Sequence, residues 1–234
     1  MDQVVTDELA FGHGAIKELA FGQRAALSGR GRSLVVFLHG YGADGADLLG
    51  LAEPLAPRLP DTVFLAPDAP QACPGTAFGR QWFPIPWIDG STEAAAAAGL
   101  AAAVLALNGF LDARMKHEKI GPEAVALVGF SQGAMMAMHL APRRAESLAG
   151  VVAISGRLLQ PETLAHEVRV KPPVLLIHGD ADPVVPFSDM AKADQALKAA
   201  GFATSGHVMR GTGHGIAPDG LQAAYRFLRQ TLPA

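Results

Sequence analysis

Ala124-Val125-Ala126-Leu127-Val128-Gly129-Phe130-Ser131-Gln132-Gly133-Ala134-Met135-Met136-Ala137-Met138 passes from five consecutive apolar residues through a G-x-S-x-G turn into a stretch of good helix formers. The apolar run reads as a strand buried on both faces, and the alanine–methionine stretch as the helix that follows it. A chain that reverses between the two within a residue or so forces the serine into a strained backbone conformation, at about 1–3 kcal/mol. Glycines two residues before and two after leave room for the turn. Ser131 is therefore a candidate nucleophile. In a chain with 26 glycines the bare pattern carries little weight, which rests instead on the flanking strand and helix and on two segments downstream.

The first of these is Pro173-Val174-Leu175-Leu176-Ile177-His178-Gly179-Asp180-Ala181-Asp182-Pro183-Val184-Val185-Pro186, an apolar run ending in a turn that carries two carboxylates. The second is Gly211-Thr212-Gly213-His214-Gly215, which sets an imidazole among small residues after the stretch His207-Val208-Met209. The chain order serine, acid, histidine is that of an α/β-hydrolase and differs from the orders in the chymotrypsin and subtilisin families.

The rest of the pattern fits. Leu34–Leu38, Val63–Ala66, Ala124–Gly129, Gly150–Ser155, Val174–Gly179 and Ala203–Met209 read as strands. Between them, Ala46–Leu59, Ser91–Lys116, Gln132–Leu140, Phe187–Ala200 and Pro218–Leu232 read as helices. The second helix has a capping start at Ser91 or Thr92. Alternation of this kind predicts a mostly parallel sheet covered on both faces, a single α/β domain without a large cap. Right-handed crossovers bring the loops at the strand carboxyl ends to one edge, where such sheets place ligands. Residues 1–32 are read as one or two N-terminal edge strands or an extension of the same domain, and 33–234 as the α/β-hydrolase domain proper.

Bulk properties narrow the function. A net charge of −3 with scattered basic residues offers no footprint for nucleic acid or anionic membrane. One cysteine, Cys73, excludes an internal disulfide framework and multi-cysteine zinc sites. The acidic N-terminus Met1-Asp2-Gln3-Val4-Val5-Thr6-Asp7-Glu8 lacks the layout of a signal peptide, and no run is read as reaching the ~18 apolar residues of a membrane span. A cytoplasmic protein without stable membrane insertion is expected.

The serine hydroxyl is a poor nucleophile at neutral pH and needs an adjacent base. His214 is the candidate, with Asp182 bonded to its other ring nitrogen; Asp180 is the rival, better suited to bracing the turn. An oxyanion needs backbone donors, for which the candidates are the N–H groups of Gln132 and, from the loop His39-Gly40-Tyr41-Gly42-Ala43-Asp44-Gly45, of Tyr41. The long stretch 71–90 holds both tryptophans, Trp82 and Trp87, with Phe78, Phe83, Ile85 and Ile88. It is read either as the wall of an apolar acyl pocket or as a cover for the sheet edge. Trp82, Phe83, Trp87, Ile88 and Val185 are the candidate substrate contacts. Cys73 is read as a bystander. His39 and His178 are read as turn braces, and Glu162, His166 and Glu167 as a solvated helical face. Met135, Met136 and Met138 are assigned to the core.

Leu38-His39-Gly40-Tyr41-Gly42, Gly129-Phe130-Ser131-Gln132-Gly133, His178-Gly179-Asp180-Ala181-Asp182-Pro183-Val184-Val185-Pro186 and Gly213-His214 together resemble the carboxylesterase and acyl-protein thioesterase group of small α/β-hydrolases, also described as phospholipase/carboxylesterase-like. The resemblance covers roughly residues 33–230. It implies Ser131, Asp182 and His214 as the triad, and the Tyr41 and Gln132 amides as the oxyanion hole. Arg80-Gln81-Trp82-Phe83 resembles the family's segment near the acyl site. There the chain departs, with Pro84 and Pro86 where the family often has polar residues, and with Gly215 where many members have an acid.

The reading that follows is hydrolysis of carboxylic esters with short to medium acyl chains, with no cofactor and no metal. A thioesterase acting on acyl-protein or acyl-CoA and a lysophospholipase are the enzymatic alternatives, and a non-catalytic acyl-ligand binder the remote one. A small-molecule ester or thioester is the expected partner, and a homodimer through the aromatic loop is left open.

Overall fold

Each apolar strand alternates its side chains between two helical layers, and that is why the runs have no polar face. The computed structural model describes residues 18–233. Its strands are β1 (Phe21–Arg24), β2 (Ser33–Leu38), β3 (Thr62–Pro67), β4 (Gln71–Ala72), β5 (Arg80–Gln81), β6 (Val125–Phe130), β7 (Gly150–Ile154), β8 (Val174–Gly179) and β9 (Thr204–Met209). Seven of them form one sheet in the order β1-β3-β2-β6-β7-β8-β9, parallel throughout except for β1, which runs antiparallel along β3. The helices are α1 (Gly45–Leu49), α2 (Ala52–Leu55), α3 (Pro86–Asp89), α4 (Glu93–Glu118), α5 (Gln132–Leu140), α6 (Pro161–Glu167), α7 (Ser188–Ala199) and α8 (Pro218–Thr231).

On one face Leu34, Val36, Leu38, Leu65, Leu127, Val151 and Leu176 meet α4, α5 and α7 through Leu107, Phe110, Leu111, Met136, Ala193 and Leu197. On the other, Val35, Phe37, Phe64, Val128, Ile154 and Ile177 meet α1, α2 and α8 through Leu48, Leu55, Ala224, Phe227 and Leu228. Burying a side chain of this size stabilises by roughly 1.5–3 kcal/mol, so the two layers hold the sheet rigid beneath the loops at its carboxyl edge. Met136 and Met138 are fully enclosed and Met135 nearly so, in the core as read from sequence.

Three details differ from the sequence reading. The helix expected over Ala46–Leu59 is broken into α1, α2 and a 3₁₀ turn at Ala56–Arg58, because Pro54 and Pro57 bring no N–H to a continuous ladder. The stretch 71–90 is not without structure, since β4 and β5 pair antiparallel and α3 follows. Third, α4 is by length and composition apolar enough to cross a membrane, contrary to the expectation that no run reaches that length, its apolarity resting largely on alanine. Its Leu100, Ala103, Leu107, Phe110 and Leu111 are packed against the sheet. Thr92 caps α4, its hydroxyl accepting from Ala95 N–H at 3.1 Å. Of the N-terminal segment, residues 1–17 lie outside the described residues, as does the stretch read for a signal peptide; β1 is the edge strand that 18–32 supplies.

Candidate active site

Ser131 sits at the turn between β6 and α5 with φ 53° and ψ −116°, in the positive-φ region that side chains avoid. Its backbone N–H is tied to Ile154 O at 2.8 Å. The turn closes only because both flanking glycines lack a Cβ: one at Gly133 would strike the carbonyl of Leu38, and one at Gly129 the backbone of Gly133. The helix thereby starts hard against the end of β2, beside the loop that carries Tyr41.

Asp182 follows β8, two strands from β6, and His214 follows β9, three strands from it; His214 bridges the other two. His214 Nε2 lies 2.9 Å from Ser131 Oγ, and His214 Nδ1 lies 2.7 Å from Asp182 Oδ2. With its proton on Nδ1 the ring donates to the carboxylate and accepts from the hydroxyl. The other carboxylate oxygen accepts the N–H groups of Val184 and Val185 at 2.8 and 3.0 Å. Burial pushes the Asp182 carboxyl up, but the bonds from His214 and from the Val185 and Val184 amides outweigh it and hold the group below its ordinary value. Asp180 is placed elsewhere, its Oδ1 accepting Gly211 N–H, so it braces the turn that leads to His214. Phe130 packs against the His214 ring with centroids 4.9 Å apart.

Of the two candidate oxyanion donors, Gln132 N–H stands at the first position of α5 and has no acceptor within its helix. Tyr41 N–H has no backbone acceptor among the described residues, whereas its neighbours are committed: Gly42 N–H to Arg80 O and Ala43 N–H to Gly40 O. His39 is buried behind this loop, donating from Nδ1 to Gly40 O at 2.7 Å and accepting Ala69 N–H at Nε2 at 2.9 Å. Burial pushes its pKa down, consistent with a neutral brace. His178 Nε2 donates to Val185 O at 3.0 Å and lies 3.4 Å from Asp182 Oδ2, so the ring braces the turn beneath the acid.

The substrate-contact candidates divide. Trp82 is 0 % exposed, with Nε1 donating to His39 O at 3.0 Å; a ring sealed in the core has no face for an acyl chain, which corrects its assignment to the pocket wall. Phe83, at 6 %, is a core residue too. Val185 is likewise buried and brackets Asp182 with its backbone, leaving Val184 as the exposed neighbour. Trp87 and Ile88, on the short helix α3, are 67 % and 52 % exposed and remain available to a ligand.

Two features carried no sequence signal. The Gln132 side chain spans from the elbow to the aromatic stretch, its Oε1 accepting Trp82 N–H at 2.9 Å and its Nε2 donating to Phe83 O at 2.7 Å. Ser155, after β7, shares the positive φ of Ser131, at 51°, and likewise ties its N–H to the end of the next strand, on Ile177 O at 2.8 Å.

Residues 26–232 match the phospholipase/carboxylesterase family. The chain belongs to that family. It is 29 % identical over 203 residues to esterase YpfH of Escherichia coli, covering 86 % of this chain and 84 % of the relative. Acyl-protein thioesterase 1 of Saccharomyces cerevisiae is 32 % identical over 216 residues, with 86 % and 93 % covered. Among solved structures, esterase PE8 superposes with a TM-score of 0.87 at 44 % identity, covering 92 % of this chain and all of the other. The mostly parallel seven-stranded sheet is that of an α/β-hydrolase.

Proposed function

We propose that this member of the phospholipase/carboxylesterase family hydrolyses carboxylic esters of short to medium acyl chains through an acyl-enzyme on Ser131, without metal or cofactor, in the cytoplasm. The observation that carries the reading is the relay in which one imidazole contacts both Ser131 Oγ, at 2.9 Å, and the Asp182 carboxylate, at 2.7 Å. As Ser131 Oγ attacks the substrate carbonyl, His214 Nε2 takes its proton, and Asp182 stabilises the resulting imidazolium while fixing the ring. The oxyanion of the tetrahedral intermediate is held by the Tyr41 and Gln132 N–H groups, each contributing about 3–4 kcal/mol of transition-state stabilisation. His214 returns the proton to the leaving alcohol. A water deprotonated by the same imidazole then attacks the acyl carbon and frees Ser131.

A second reading is thioester hydrolysis, favoured by the likeness to the yeast acyl-protein thioesterase 1; the same groups serve, and only the leaving atom changes. Both are tested by initial rates on p-nitrophenyl esters and matched thioesters of increasing acyl length, with S131A alongside. Loss of at least about 10⁴-fold in kcat in S131A is expected. Wild-type rates in S131A would sink the assignment of the nucleophile, and the ester-to-thioester ratio separates the two readings.

A further inference from the structure

The carboxyl ends of β6 and β8 carry Ser131 and Asp182, and β7 lies between them. The loop after β7 therefore opens at the middle of the same edge. It turns through the positive φ of Ser155 onto Gly156, where a Cβ would meet Ala134 Cβ and come to 3.3 Å from Ser131 O. Gly156 thus packs directly on the nucleophile turn, and the next residue is Arg157.

Arg157 is held as an anchor would be. Its Nε donates to Asp189 Oδ2 at 2.7 Å, and its guanidinium lies 5.6 Å from the centroid of the exposed Trp87 ring. Among the described residues nothing accepts from Nη1 or Nη2, and the side chain is 42 % exposed. Asp189 is buried at the start of α7 and also accepts from Lys192 Nζ at 2.8 Å. Two cations thus share one carboxylate, leaving a net positive charge. Burial pushes the Asp189 carboxyl up, but the bonds from Lys192 and Arg157 prevail and keep it ionised. The acid of α3, Asp89, accepts the amides of Ile85 and Ser91, one on each carboxylate oxygen. A guanidinium fixed by one nitrogen on a buried acid, with its other two nitrogens open, suits two parallel bonds to an oxyanion.

We infer that Arg157, steadied by Asp189 and Trp87, is a specificity determinant that binds a carboxylate or phosphate on the substrate beside the scissile ester or thioester. The inference rests on the proposed hydrolysis at Ser131 and names its preferred substrate class, acyl compounds that carry an anion.

The test compares mono-p-nitrophenyl glutarate with its neutral methyl diester, which places the anion on the acyl side, and butyryl-CoA with butyryl-pantetheine, which places it on the leaving group. Wild type, R157Q and R157K are assayed. The wild type is expected to favour the anionic member of at least one pair by about 10-fold or more in kcat/KM, mostly through KM. R157Q abolishes that preference while leaving the neutral substrates within about 2-fold; R157K, which keeps the pairing with Asp189 and hence the fold, retains only part of it. Raising salt from about 50 mM to about 500 mM narrows the preference in the wild type alone. The pair that responds tells which side of the substrate carries the anion. Equal losses on neutral and anionic substrates in both variants would reduce Arg157 to a brace, and a wild type active on neutral esters without preference would overturn the inference while leaving the hydrolase intact. A wild type inactive on every substrate would remove both.

Discussion

The carboxamide of Gln132 clasps the backbone of Trp82, accepting its N–H at 2.9 Å while its own NH₂ reaches Phe83 O at 2.7 Å. A residue whose N–H is a candidate oxyanion donor thus fixes, through its side chain, the start of the aromatic stretch. The Trp82 ring completes the circuit by bonding to His39 O, at the root of the Tyr41 loop. The two halves of the proposed oxyanion hole are therefore joined by one buried hydrogen-bonded path.

Truncating that clasp separates its parts. Q132A keeps the backbone N–H but strands a buried donor and a buried acceptor, each worth about 1–3 kcal/mol. A fall of roughly 2–6 kcal/mol in urea-derived stability is expected, with kcat reduced more than KM because the Tyr41 loop loses its support. A Q132A protein as stable and as fast as the wild type would show that the clasp holds nothing.

The two acids of the β8 turn should behave very differently. D182N keeps the shape but removes the charge and the acceptor that set the His214 tautomer, so kcat should fall by about 10⁴-fold. D180N alters only a bond to Gly211 N–H and the ion pair with Arg210 at 3.7 Å, so a change of a few-fold at most is expected. Stopped assays on one p-nitrophenyl ester rank the pair. A D180N enzyme as crippled as D182N would reassign the acid.

Much of this architecture is legible from residues alone, and the reasons are local. Strands such as Leu34–Leu38 and Val174–Gly179 are apolar on both sides because helices cover both faces, and the Ser131 turn announces itself through glycines that backbone packing demands. Asp180 and Asp182 are told apart in sequence only by their depth in the turn; in the structure Asp182 bonds to His214 and Asp180 accepts Gly211 N–H. Trp82 and Trp87 are not distinguishable that way. Five residues apart in a stretch without periodicity, one is sealed by Gln132 and His39 and the other is exposed beside the Arg157 guanidinium, and both partners of the first are 43 or more residues away. Arg157 is silent for the same reason, since its acid lies 32 residues on.

The contrast between the tryptophans is itself testable. W82F loses the bond to His39 O and leaves that carbonyl buried, so it should cost about 1–3 kcal/mol in stability and lower rates on every ester alike. W87A removes an exposed ring and should leave stability within about 0.5 kcal/mol, while raising KM in step with acyl chain length. Chain-length profiles and urea midpoints for both variants decide the matter; a W87A profile parallel to the wild type would remove Trp87 from the acyl path.

Acid should weaken the fold in two stages. His139, in the last turn of α5, is buried with no partner for Nδ1, and burial followed by the nearby Arg143 charge pushes its pKa down from 6.5 to about 4. A folded pKa below the unfolded one means the unfolded chain binds the proton first. The stability at stake is therefore complete above about pH 6.5 and is lost as pH falls toward about 4, amounting to about 3 kcal/mol at full protonation. His39, lowered in the same direction by burial, adds to this stage. Asp182 and Asp189 also have folded values below their unfolded ones, so their contribution is intact above the carboxylate range and disappears only at lower pH. H139M keeps the volume and cannot titrate, so its urea midpoint should fall less than that of the wild type between pH 7 and about pH 4, the two curves becoming parallel only at still lower pH. Parallel curves across the whole range would mean that His139 finds a partner for its proton in the folded state, and that the first stage belongs to His39 alone.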